Sequence, residues 1–310
     1  MKIMVTGGAG FIGSNIVDGY VRQGHQVVVV DNLATGRVSN LNPNVKFYQL
    51  DIRSEQLAKV FEQEQPEVVN HHAAQMDVRR SVADPLYDAD VNVKGAVNVL
   101  ENARKFNVQQ VIYSSSGGTV YGEPEYFPCD ENHPIRPICQ YGGTKYMMEL
   151  YLYMYRHMYG LNYTIFRYPN VYGPRQDPTG EAGVVAIFTG QMVRGEPVVI
   201  HGDGEQERDF VFVEDVAAAN VLALGNRAGG HVYNLGAGEP TSVNQIFQAL
   251  QQVTGYSKAP QYDPARLGET RKIYLDANKA RRELGWAPAT DLITGMQRTV
   301  DYYKETELVL

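Results

Sequence analysis

Basic charge is what this 310-residue chain lacks most: 28 Lys and Arg stand against 35 Asp and Glu, a formal net charge of −7. Proteins that hold nucleic-acid polymers draw much of their affinity from cations set on phosphates. The acidic balance, with no long Lys/Arg run, argues against nucleic acid as a partner. No apolar run approaches the ~18–20 residues of a membrane span, which argues against a membrane-embedded chain. There are only two cysteines, Cys129 and Cys139, without the close spacing or His partner of a zinc site. Two unpaired thiols suit a reducing compartment. The opening Met1-Lys2-Ile3-Met4-Val5-Thr6-Gly7 runs straight into a strand and turn rather than a signal segment, so a cytoplasmic location is expected. Tryptophan occurs once, yet tyrosine occurs 21 times.

What is present reads as a large α/β protein. Apolar residues make up 44% and charged residues 20%, a globular composition whose core needs no disulfide staples. Val27-Val28-Val29-Val30, Val68-Val69, Val111-Ile112-Tyr113 and Thr164-Ile165-Phe166-Arg167 read as strands buried on both faces. Helical stretches lie between them, Val91 to Lys105 among these. Repeated βα units predict a doubly wound parallel sheet of Rossmann type, with ligands at the carboxyl ends of the strands. From Pro169 onward Gly and Pro become frequent. We therefore expect a dinucleotide domain over 1–169, to which later segments return. A smaller C-terminal α/β substrate-binding lobe is expected mainly over 170–310.

Thr6-Gly7-Gly8-Ala9-Gly10-Phe11-Ile12-Gly13 follows the first strand and opens a helix. Gly7, Gly10 and Gly13 suit a tight turn, close approach of backbone to a pyrophosphate, and close helix–sheet packing. Amides at the helix start then face the phosphates. Asp31 ends the second strand where a carboxylate would accept the adenine-ribose hydroxyls. A carboxylate there repels a 2′-phosphate, so NAD is the expected cofactor; Arg37 nearby keeps NADP open.

Tyr141-Gly142-Gly143-Thr144-Lys145 sets a phenol and an ammonium at i and i+4, on one helix face. Free tyrosine ionises near pH 10. A lysine cation and an oxidised nicotinamide close by would both favour phenolate, making Tyr141 a candidate base. Upstream, the strand Val111-Ile112-Tyr113 runs into a polar turn, Ser114 to Thr119. A hydroxyl at a strand's carboxyl end can pass a proton between substrate and phenolate.

These motifs, in this order, resemble the extended short-chain dehydrogenases/reductases. Over almost its whole length the chain is similar in particular to the nucleotide-sugar epimerases, UDP-glucose 4-epimerases among them. The likeness is carried by the glycine turn, His72-Ala73-Ala74-Gln75, Asn92-Val93-Lys94-Gly95 and Tyr141 with Lys145. It continues through Arg167-Tyr168-Pro169-Asn170-Val171-Tyr172-Gly173-Pro174-Arg175 and Gly202-Asp203-Gly204 to Arg208-Asp209-Phe210-Val211.

The resemblance implies an NAD-dependent isomerase that inverts C4 of a UDP-hexose (UDP-galactose/UDP-glucose) through a transient 4-keto sugar. It makes Tyr141 the base on the C4 hydroxyl and Lys145 the residue that orients the cofactor. It sets Phe11, Ile12, Asn32, Asp51, Ile52, Ala73, Ala74, Gln75 and Tyr168 along the cofactor, and Asn92 behind the active site. Asn170, Val185, Arg208, Arg266 and Arg271 fall on the nucleotide-sugar side, the arginines as forks for the diphosphate.

Departures from the relatives matter as well. Where many carry a catalytic Ser or Thr, this chain has Gly117, flanked by Ser116 and Thr119. Residues two apart on an extended segment share a face, which favours Thr119 as the proton relay and leaves Ser116 in contention. Met76 stands where some relatives have a lysine. Gly117-Gly118 offers neither the acid nor the base that the 4,6-dehydratases carry there. At Ile273 relatives gate the N-acetyl group, so UDP-GlcNAc/UDP-GalNAc and UDP-glucuronate stay open as substrates. A non-catalytic NAD-binding regulator would keep the glycine turn but have no need of Tyr141 and Lys145.

Met147 to Tyr159 holds many of the tyrosines, with Glu149 and Arg156 as its only full charges. A helix apolar on every face is buried on more than one side. The resemblance implies that this helix and one near 98–104 pair across a two-fold axis in a homodimer.

Overall fold

The valine-rich runs of the first half form parallel strands. They are β1 (Lys2–Thr6), β2 (Gln26–Asp31), β3 (Lys46–Gln49), β4 (Val68–His71), β5 (Gln110–Ser116) and β6 (Asn162–Tyr168). In this computed structural model, which describes residues 1–179, 183–225, 229–265 and 270–307, helices connect them. α1 (Phe11–Arg22) follows β1 and α2 (Leu57–Glu64) follows β3. α3 (Val78–Ala83), α4 (Pro85–Ala89), a π-helical turn (Asp90–Gly95) and α5 (Ala96–Lys105) follow β4, and α6 (Gln140–Tyr159) follows β5.

The second half is shorter-grained. It comprises β7 (Asn170–Tyr172), α7 (Val184–Val193), β8 (Val199–His201), β9 (Glu207–Arg208), β10 (Phe210–Phe212), α8 (Val213–Leu222) and β11 (His231–Asn234). Then come β12 (Thr241–Ser242), α9 (Val243–Thr254), β13 (Gln261–Asp263), β14 (Lys272–Ile273), α10 (Asn278–Leu284) and α11 (Leu292–Glu307). β11 completes one seven-stranded sheet in the order β11-β6-β5-β4-β1-β2-β3, parallel at every pairing. This is the doubly wound sheet that the alternation predicts.

Successive strand residues point to opposite faces, and both faces are dry. Ile3, Val5, Val27 and Val29 join one core with Ile16, Val17 and Tyr20 of α1, and with Val216 and Ala217 of α8. Met4, Val30, Val69 and Val111 join the other with residues of α2, α5 and α6. A third core, from Tyr172 through Val185, Phe188, Phe247 and Leu250 to Val300, lies among α7, α9 and α11. The later chain returns to the first of these cores twice, at Val211–Leu235 and at Ala280–Trp286, the single tryptophan being buried there. Among the described residues no helix is long and apolar enough to cross a membrane.

Local chemistry sets the element ends. Ser242 and Gln245 form a reciprocal capping box at the start of α9, and Gly255 closes it in a left-handed conformation (φ 74°). The Cys139 thiol accepts the Gly142 amide at the start of α6. Both cysteines are free thiols.

Candidate active site

The glycine turn is built for close approach. Gly7 has φ +73°, and a Cβ there would sit 2.6 Å from the Ala73 amide nitrogen; at Gly13 it would meet the Gly7 carbonyl oxygen at 2.2 Å. The Gly10 N-cap gives α1 no side-chain hydrogen bond, so the amides of Phe11 and Ile12 begin the helix without a protein cap. Asp31 accepts the Ala9 amide at 3.0 Å and the Leu33 amide at 2.8 Å. That braces its carboxylate beside the turn. Arg37, the residue that kept a 2′-phosphate in play, is instead paired with Asp177 at 2.6 Å. Asn32 donates to Asp51 at 2.9 Å, and Ile52 packs on Gly95 behind them. These residues fit a dinucleotide whose adenosine ribose lies against Asp31.

Two expected cofactor contacts are spent inside the protein. Gln75 donates to Asp88 at 2.9 Å and to the Asp77 carbonyl at 2.8 Å, and its own oxygen accepts the Asp77 amide. The Tyr168 hydroxyl meets His72 Nε2 and Asn220 Nδ2, each at 3.0 Å.

At the carboxyl end of β5 the chemistry converges. The Lys145 ammonium donates to the Ser114 carbonyl at 2.8 Å and lies 5.7 Å from the Tyr141 ring centre. Burial pulls Lys145 down from 10.5 to about 8, with Asp88 opposing the fall. Burial pushes the Tyr141 phenol well above 10, the charges of Cys139 and Asp88 push it further, and a hydrogen bond from Ser116 opposes them. The expected lowering of this phenol by Lys145 is therefore absent from the protein's own field, where desolvation dominates. His71, bonded to Thr6 Oγ1 at 2.6 Å, is held neutral down to about pH 3 by burial and by Lys145.

Thr119 does not stand on an extended segment. β5 ends at Ser116, and the Thr119 and Val120 amides both turn back onto the Ser116 carbonyl, so 117–119 is a turn and not an extended run. Ser116, not Thr119, is the hydroxyl that acts on the Tyr141 phenol, opposing its rise; Thr119 Oγ1 is buried with no hydrogen-bond partner. Gly117 explains the altered spacing: a Cβ there would lie 2.5 Å from Leu275, whereas at Gly118 the nearest atom is Asn170 Oδ1 at 3.8 Å.

On the opposite side, Gly117, Gly118, Asn170 and Ile273 line one narrow recess with Pro169, Asp209 and Leu275. Arg208 pairs with Ile273 across β9 and β14, which brings the candidate diphosphate arginine to the same wall. Asp209 accepts the amides of Ala237, Gly238 and Leu275, tying β10's approach to the chain after β11. Arg271 is held in an exposed bidentate pair with Asp203, and Val185 is buried in the α7 core. Neither side chain faces the recess. Arg266 lies outside the described residues.

Sequence reasoning missed the layer beneath these groups. Asp88, fully buried, accepts from Thr144, Gln75 and Asn92. The Arg167–Glu149 pair is buried and bidentate, and it also holds Ser115 and Tyr121. One sequence signal was available: Asp88 precedes Asn92 by four residues, helical spacing on a segment next to the catalytic one.

α6 is expected to be buried on more than one side, the second against a partner copy. Lys145, Met148, Glu149, Leu152 and Tyr155 face the sheet, while Met147, Leu150, Tyr153, Met154, Met158 and Tyr159 are exposed. Within the chain the helix is buried on one side only.

Comparison with known proteins gives three consistent findings. The family described as NAD-dependent epimerase/dehydratase matches residues 3–236. The chain is similar to the UDP-glucose 4-epimerase of Mycolicibacterium smegmatis, 43% identical over 309 residues, covering 98% of this chain and 99% of that one. Among solved structures it resembles the Thermotoga maritima UDP-glucose 4-epimerase with UDP-glucose, at 49% identity and TM-score 0.97, covering 99% of this chain and all of that one. It also resembles the Thermus thermophilus UDP-glucose 4-epimerase in complex with NAD, at 41% identity and TM-score 0.92, covering 98% and 99%.

Proposed function

This chain belongs to the NAD-dependent epimerase/dehydratase family, and from that premise we propose that it interconverts UDP-galactose and UDP-glucose by inverting C4 of the hexose. It is an isomerase, NAD is its cofactor, and UDP-sugars are its substrate class. The observation that carries the finer reading is the buried Lys145 ammonium, held by the Ser114 carbonyl at 2.8 Å and 5.7 Å from the Tyr141 ring centre, at the strand end beside Ser116, Gly118 and Asn170.

In this reading Tyr141 takes the C4 hydroxyl proton and later returns it from the other face of the ring. Ser116 holds the phenol oxygen and passes the proton along a short hydrogen-bonded path. Lys145 holds the cofactor ribose and keeps a cation beside the base. Bound NAD supplies hydride acceptance and return at C4, with a positive nicotinamide when oxidised. Tyr141, whose burial keeps the phenol protonated, would then ionise more readily beside that positive charge.

Arg208 and Arg266 hold the diphosphate. The unfilled Cβ direction at Gly118 leaves room for the hexose to turn over while its nucleotide stays anchored. A dehydratase needs an acid and a base at this turn, and Leu275 leaves no room for a side chain at position 117. We read the exposed apolar face of α6 as the seam of a homodimer, since Tyr and Met suit surfaces covered by a partner.

The test is product identity. Purified protein with UDP-galactose and no added reductant should give UDP-glucose. A UDP-GlcNAc or UDP-glucuronate product in place of this one would reassign the substrate, and no epimer from any of the three would defeat the reading.

A further inference from the structure

Asp88 is fully buried at the end of α4, and its three hydrogen-bond donors are all neutral. Oδ2 accepts the Thr144 hydroxyl at 2.8 Å; Oδ1 accepts Gln75 Nε2 at 2.9 Å and Asn92 Nδ2 at 3.1 Å. Thr144 lies between Tyr141 and Lys145 on α6, and its hydroxyl also meets the Tyr141 carbonyl at 3.1 Å. Asn92 sits in the π-helical turn, a distortion frequent at functional sites, and it bonds Gln75 in both directions. Four segments thus converge on one carboxylate: α4, the π-turn, the chain after β4, and the first turn of α6.

A buried anion without a cation in contact is costly. Neutral side chains would tie the same four segments together without that cost. The charge itself therefore asks for an account, and one functional group that responds to it is the Lys145 ammonium. That cation is buried too, and its protein acceptor is the Ser114 carbonyl.

We propose that Asp88 is a positioning residue of the reaction, holding the first turn of α6 through Thr144 and supplying the fixed negative charge against which Lys145 and Tyr141 exchange protons. This rests on the reading that Tyr141 and Lys145 do the chemistry. The Asp88 charge raises the pKa of both groups and acts in the same sense on Tyr113 and Cys139. The other titratable groups packed around this cluster are His71 and His72, from β4 and the residue after it, and Glu149 of α6. Both histidines are kept neutral by burial, and Glu149 is committed to Arg167. Asp88 is thus the unpaired anion of the group.

The signs set the test. Removing the charge while keeping the shape, by Asp88→Asn, lowers the pKa of Tyr141 and of Lys145 together. In the NAD-loaded enzyme both limbs of the pH–rate profile should move to lower pH, by roughly half a unit or more. A purely structural role would lower the rate and leave both limbs where they are, and that result overturns the proposal. Thr144→Val keeps the charge and removes its closest donor. It should lower turnover several-fold with the limbs in place, and Thr144→Ser should restore it. If Asp88→Asn yields no measurable profile, Thr144→Val decides: wild-type turnover there overturns the proposal, and a several-fold loss restored by serine supports it. Tyr141→Phe run alongside keeps the two levels apart, because retained turnover in that variant would defeat the underlying reading and not the role of Asp88.

Discussion

At the residue scale, the protein separates the group that does the chemistry from those that make it possible. Tyr141→Phe removes the only hydroxyl of that side chain, so turnover should fall by about 10²–10⁴-fold while NAD stays bound, as cofactor absorbance of the purified variant would show. Ser116→Ala should cost more in kcat than Thr119→Ala, because Ser116 acts on the phenol, opposing its rise, and Thr119 Oγ1 has no protein partner. A steady-state comparison of the two variants checks this, and a larger loss at Thr119 would return the relay to it. Lys145 is held near 8 by burial, so its cation is present below that pH and lost above it. Retention of NAD should weaken as pH rises through 8, more than two units before an exposed lysine would respond; dialysis across pH 7–9.5 would measure it. The spacing of Tyr141 and Lys145 and the glycine turn are legible because each is a local pattern in the sequence. The hydrogen-bonded cluster around Asp88 is not, since it forms only when α4 and α6 pack together.

At the scale of elements, α6 carries two different jobs on its two sides. Its inner side holds Lys145, Glu149 and Tyr155, the last bonded to Glu101 of α5 at 2.6 Å. Its outer side is a band of Met, Leu and Tyr. The apolar character was legible in the sequence; which residues face inward was not, because a helix apolar on every side has no single stripe to read. Leu150→Glu combined with Tyr153→Arg should convert a dimer into a species near the 34.6 kDa chain mass, as light scattering would report. A wild-type mass already at that value would dispose of the seam. On the inner side, Arg167→Met would leave Glu149 buried without its cation, at a cost of about 3–5 kcal/mol readable in urea melts. That loss belongs to stability and not to the epimerase chemistry.

For the whole molecule, pH should act through histidines that the fold refuses to protonate. His71 is lowered from 6.5 to about 3, and His72 well below 6.5, chiefly by burial. Between those values the unfolded chain binds protons that the folded one does not, so stability falls as pH drops from about 6.5 towards 3. Thermal midpoints at pH 7, 6 and 5 should decline in that order, and His71→Asn should flatten the trend. The parallel sheet and its strand positions were visible in the valine runs. The route of the second half was not, because its strands are only two to four residues long and carry no period.

That route has a consequence for inheritance. The chain leaves the core of the sheet's first face after Val171, rejoins it at Val211–Leu235, departs for α9, and comes back to it at Ala280–Trp286 before ending in α11. No single recombination point divides the gene into a nucleotide half and a sugar half. On the proposed function, a new sugar preference is expected from point changes along the recess lined by Gly118 and Ile273, and not from exchange of one half of the chain.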